Sequence, residues 1–93
     1  MPTVSFEQMF KEARTRPEYY QAHFLIELAC AVGDVMRDKG ISKRSLAAKT
    51  GVHRNTVYRI LSGEVVKPSA LFKVLLFLGK KLTIKLEDVG END

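Results

Sequence analysis

Apolar side chains recur at helical spacing along most of this chain and then switch to strict alternation near its end. Phe6, Met9, Phe10 and Ala13 fall on one face of a short helix predicted from Phe6 to about Arg14. Ser5-Phe6-Glu7-Gln8 has the capping-box form that opens such a helix, and Met1–Val4 before it is expected to fray. Pro17 suits the first turn of a second, longer helix running to about Lys39. Its stripe is Tyr20, Phe24, Leu28, Val32, Val35 and Met36, flanked by Leu25 and Ala29, and Gly40 ends it. Tyr19, Tyr20 and Phe24 exceed what one small domain can cover, which makes them candidates for contact with a partner chain.

The segment Ser42–Gly63, SKRSLAAKTGVHRNTVYRILSG, reads as two short helices around a glycine turn. Ser42 is a favourable N-cap, and Ile41 with Leu46 can form the hydrophobic staple of the helix Lys43–Lys49. Thr50-Gly51 stops that helix, Val52 anchors the turn, and a second helix follows from about Arg54 to Leu61, closed by Ser62-Gly63. Glu64–Lys67 is a loop, and a further helix begins at Pro68-Ser69 with Ser69 expected to cap it. Ala70–Leu78 is apolar nearly all round, the pattern of a helix covered on more than one side, and Gly79 stops it. In Lys81–Glu87, Leu82, Ile84 and Leu86 alternate with Thr83, Lys85 and Glu87, a strand signature. An isolated strand leaves its backbone groups unpaired, so pairing with the same strand of a second copy across a two-fold axis is expected. The acidic tail Asp88–Asp93 is expected to be disordered.

Composition narrows the function. At 93 residues the chain can build one core without disulfide or metal staples. No apolar run reaches a membrane span and the start lacks the layout of a signal peptide, so the cytoplasm is the expected compartment. The lone Cys30 has no disulfide partner within the chain and is expected as a small buried hydrophobe. The net charge of +4 is unevenly placed. Residues 1–39 carry a net of −1 and residues 68–93 balance, whereas residues 40–67 hold six Lys and Arg against Glu64 alone. That concentration of positive charge on the helix–turn–helix segment is the footprint of a phosphate-facing surface. Arg54, Asn55, Thr56 and Arg59 on the second helix are donors suited to base edges. An enzyme is disfavoured: His23 and Glu27 stand four apart on one helix, but no nucleophile elbow, phosphate loop or metalloprotease pair accompanies them. Neither a metal nor another cofactor is expected, since His23 and His53 have no cysteine cluster beside them. A pure protein-binding module would favour acidic residues in the second helix, and there are none.

From Val35 to Gly79 the sequence resembles the Cro/C1-type (XRE) helix-turn-helix family, in the segments MRDKG, ISKRSLAAK, TGV, HRNTVYRILSG and KPSALFKVLLFLG. The wider layout is similar to antitoxins of HigA type, through Pro17-Glu18, Glu27-Leu28-Ala29 and the closing KLTIKLE. The resemblance implies an all-α Cro/C1-like domain of about five helices. It implies a short N-terminal helical extension over 1–16, a DNA-binding domain over 17–79, a dimerising strand over 80–87 and a tail over 88–93. It further implies a homodimeric repressor on a palindromic operator, autoregulating as the antitoxin of a toxin–antitoxin pair, or alternatively acting as a stand-alone or phage-type repressor. Residues 1–25 are the candidate toxin-covering surface. Carried over residue by residue, it directs Arg54, Asn55 and Arg59 to base edges, Thr56 to a thymine or a phosphate, and Lys43 and Arg44 to phosphates. His53 and Lys67 are further phosphate candidates, and Leu82, Ile84 and Leu86 of the alternating segment form the expected dimer seam. Two departures stand out. Met36 and Leu61 occupy the positions where the family usually holds a buried ion pair, so an apolar contact is expected instead. His53 replaces the usual Ser or Thr cap of the recognition helix, which frees it for a phosphate.

Overall fold

The computed structural model describes residues 16–89, in which four helices follow one another: α1 (Pro17–Lys39), α2 (Lys43–Thr50), α3 (Arg54–Leu61) and α4 (Pro68–Phe77). The helix expected at Phe6–Arg14, its capping box and the end of the acidic tail lie outside the described residues. The described residues therefore contain four of the five expected helices.

Each boundary has a local cause. Pro17 opens α1, where a missing N–H leaves nothing unpaired, and Gly40 closes it with φ of 65°, donating its backbone N–H to the carbonyl of Arg37. The Ser42 hydroxyl accepts from the Ser45 N–H at 3.1 Å, the cap expected of it. At the head of α4 the expectation fails in detail. The cap position is Lys67, without a side-chain hydrogen bond, and Pro68 is the first helical residue. Proline already supplies the helical φ there, so Ser69 falls inside the first turn and caps nothing.

One apolar cluster joins the elements: Leu28, Val32 and Met36 from α1, Leu46 from α2, Val52 from the turn, Val57 and Ile60 from α3, and Leu71, Val74, Leu75 and Leu78 from α4 and its end. No polar residue is buried among the described residues, so burial of apolar area carries the stability. α3 packs against both α1 and α2, and α2 also meets α4. Met36 and Leu61 both belong to this apolar region, with Leu61 resting over the bare backbone of Gly33. Neither position takes part in an ion pair among the described residues.

Burial in α1 is confined to its second half. Tyr20, Phe24 and Ile26 are exposed, and the first buried residue is Leu28. Cys30, expected inside, is exposed, because it lies off the Leu28–Val32–Met36 line that faces the core. α4 buries only one side in the single chain, leaving Phe72, Leu76 and Phe77 exposed. Beyond it, residues 80–89 form neither helix nor strand. A ladder needs a neighbouring backbone, and nothing within the described chain lies beside this segment to complete one. Leu82, Ile84 and Leu86 are 37%, 85% and 93% exposed. No helix among the described residues is long and apolar enough to cross a membrane.

Candidate nucleic-acid interface

The turn between α2 and α3 is locked by one side chain. The Thr50 hydroxyl donates to the Leu46 carbonyl at 2.7 Å and accepts from the Val52 N–H at 3.2 Å. Gly51 takes φ of 74°, a left-handed conformation that costs an L-residue roughly 1–2 kcal/mol and glycine almost nothing. Val52, buried, then ties the turn to the core. α2 and α3 are thereby held at a fixed relation by short-range bonds and by Leu46, Val57 and Ile60 between them.

His53 does more than its type suggests. Its Nδ1 accepts from the Asn55 N–H at 3.1 Å, so the imidazole caps α3 as a serine would. An accepting Nδ1 puts the ring proton on Nε2, and that N–H is the donor left for a phosphate. Capping and phosphate contact are thus compatible, where the sequence had suggested one instead of the other.

Successive residues of α3 are rotated by about 100°. Val57 and Ile60 point inward, at 1% and 2% exposure, which sets the outward face. Asn55 is central on that face, with Tyr58 and Arg59 beside it, and Arg54 lies beyond Tyr58. All four are exposed. Thr56 is half-buried at the margin, beside Arg59, where it lines a cleft of about 530 Å³ with Val65, Val66, Lys67, Pro68 and Ala70. The floor of that cleft is apolar and its cations are Arg59 and Lys67, so it suits a sugar–phosphate unit at the edge of the recognition helix. Lys43 and Arg44 stand exposed on the first turn of α2. The structure thus brings Arg54, Asn55, Arg59, Lys43, Arg44, His53 and Lys67 onto the helix–turn–helix and its edge, and leaves Leu82, Ile84 and Leu86 on a separate segment.

Two residues went unnoticed in the sequence. Tyr58 is 41% exposed on the outward face, with the Lys43 ammonium 5.3 Å from its ring centroid. An aromatic in a helix ordinarily reads as core, but Tyr58 is out of register with Val57 and Ile60 and in register with Arg54. Val65, 64% exposed in the loop after α3, is the other. By contrast His23 and Glu27, 3.8 Å apart, are both well exposed on the side of α1, an ordinary solvated pair. No group of three or more His, Cys, Asp or Glu gathers among the described residues.

A family model described as helix-turn-helix matches residues 34–85, more than half of the chain. The match begins in the last turns of α1 and runs through α4 into the extended segment. No curated protein and no solved structure matches the chain.

Proposed function

The chain belongs to this helix-turn-helix family, in its Cro/C1-type DNA-binding form, and from that premise we propose that it represses transcription by occupying a palindromic operator as a homodimer. The observation that carries the reading is the outward face of α3. Arg54, Asn55 and Arg59 stand there together, free of ion pairs among the described residues, with Lys43, Arg44 and Lys67 on either side. Arginine can bond guanine bidentately and asparagine adenine, each good pair contributing roughly 1–3 kcal/mol of discrimination. The flanking cations fix register on the backbone without reading sequence. Binding without turnover is the whole activity in this reading.

Dimer formation is supported by what one chain leaves uncovered. Phe72, Leu76, Phe77, Ile84 and Leu86 are exposed at and after α4. Burying a fully exposed side chain of this kind is worth roughly 1.5–3 kcal/mol, which Leu76, Ile84 and Leu86 approach and the half-covered Phe72 and Phe77 gain only in part. Between α1 and α4 lies a largely apolar groove of about 330 Å³, lined by Leu28, Val32, Val35, Leu75, Leu78 and Leu82, with Lys80 and Lys81 also on its wall. Strand pairing of Lys81–Glu87 between two copies would satisfy its backbone and place the alternate leucines and isoleucine over this region.

The antitoxin form of the reading is supported by the first half of α1, where Tyr20, Phe24 and Ile26 stand exposed beyond the core. A toxin seated there would leave the recognition helices free, as joint repression requires. Nuclease footprinting upstream of the protein's own coding sequence tests the regulatory half: an inverted repeat is protected at protein concentrations that leave mixed-sequence DNA unbound. Uniform protection of all DNA would remove the repressor reading. Co-purification from the source cells decides the partner, a small protein in near-stoichiometric yield marking an antitoxin, and operator DNA alone marking a stand-alone repressor.

A further inference from the structure

We propose that Tyr58 is a phosphate-binding residue, and that Tyr58 and Lys43 form a two-point clamp on one backbone phosphate at the edge of the recognition helix. The inference rests on the DNA-binding reading above and deepens it. Tyr58 stands outside the core cluster: the inward side of α3 is closed by Val57 and Ile60, at 1% and 2% exposure, while Tyr58 is 41% exposed on the outward side. Its hydroxyl makes no hydrogen bond among the described residues. Its ring is nevertheless engaged. The Lys43 ammonium sits 5.3 Å from the ring centroid, within the range of a cation–π contact that joins α2 to α3 on the outward side.

That contact has a geometric consequence. A lysine on a four-carbon stem is ordinarily free to sweep a wide volume, and here the cation–π contact favours positions of its ammonium over the phenol ring. Two donors of different kind, a charged N–H and a neutral O–H, are then offered on the same outward surface, and neither has a carboxylate partner among the described residues. A backbone phosphate, with several acceptor oxygens and a single negative charge, matches that pair. A base edge matches it less well, because it carries no negative charge for the ammonium and the ammonium lies over the ring face rather than in the phenol plane.

The two members can be separated by salt. Lys43 releases a counterion when it meets a phosphate, and the neutral Tyr58 hydroxyl does not. The experiment measures binding of the full chain to mixed-sequence duplex DNA and to a duplex enriched from a randomised library, across a salt series, for the parent and three variants. Tyr58→Phe keeps the ring under Lys43 and removes only the hydroxyl. It should weaken both duplexes alike by about tenfold, with the salt slope unchanged. Lys43→Met should lower the salt slope by about one per protomer. Tyr58→Leu, which removes the ring as well, should weaken binding more than Tyr58→Phe, and thermal melting confirms that each variant folds. Parent-like affinity of Tyr58→Phe on both duplexes would overturn the clamp, as would a changed base preference, which would make Tyr58 a base reader. Absence of binding by the parent itself would instead overturn the DNA-binding reading, and the clamp with it.

Discussion

Arg54, Asn55 and Arg59 leave α3 on the side away from Val57 and Ile60, so removing any of them opens no cavity in the core. Their contribution to stability is therefore small and their contribution to recognition separable from it. Arg54→Ala and Arg59→Ala should each relax base preference, costing roughly 1–3 kcal/mol of discrimination at the base pair contacted, while the melting temperature stays within a degree or two of the parent. Library selection repeated with each variant, alongside thermal melting, checks this. Unchanged preference in both would mean that α3 does not read the bases. Most of this surface was legible in the residues themselves, because Val57 and Ile60 announce the inward side and every donor falls off it. His53 was half legible. Its residue type marks a weak cap, and only the bond from the Asn55 N–H to Nδ1 reveals that it caps with one ring nitrogen and leaves the other uncommitted. Tyr58 carries neither a charge nor an amide to mark it, and only the Lys43 ammonium over its ring singles it out.

At the scale of elements, glycine and proline did most of the punctuation. Gly40 and Gly51 end α1 and α2, and Pro17 and Pro68 begin α1 and α4. These boundaries follow from backbone freedom and the missing proline N–H, which depend on the residue alone. What sequence alone could not decide was burial. Cys30 is exposed and α4 is covered on one side only, because those outcomes depend on which neighbour lies across the helix. The alternation in Lys81–Glu87 belongs with them. Period two is a property of the chain, but a ladder is a property of two backbones. Deleting 81–93 should yield monomers that bind the operator weakly, since two half-sites are then engaged by independent chains rather than by one linked pair. Sedimentation of the truncated chain gives the answer. A species that remains dimeric would move the interface to the exposed side of α4, where Phe72 and Leu76 stand.

For the molecule as a whole, the separation of charge and apolar surface is the organising feature. The net charge of +4 arises from residues 40–67, which build α2, α3 and the loop after them. Apart from Tyr58 and Val65, the uncovered apolar side chains lie elsewhere, on the first half of α1, on α4 and on the extended segment. One surface is thus suited to polyanion and the others to protein, with the core of Leu46, Val57, Val74 and Leu78 between them. A two-fold pairing through the C-terminal region would carry two recognition helices at once, and the operator should then be an inverted repeat with half-sites about one helical turn of DNA apart, roughly 34–36 Å. Selection of duplexes from a fully randomised library by the full-length protein tests this claim most directly. The account predicts enrichment of one inverted repeat at that spacing. Recovery of unrelated sequences with no common half-site would contradict it, leaving a basic surface that binds DNA without reading it.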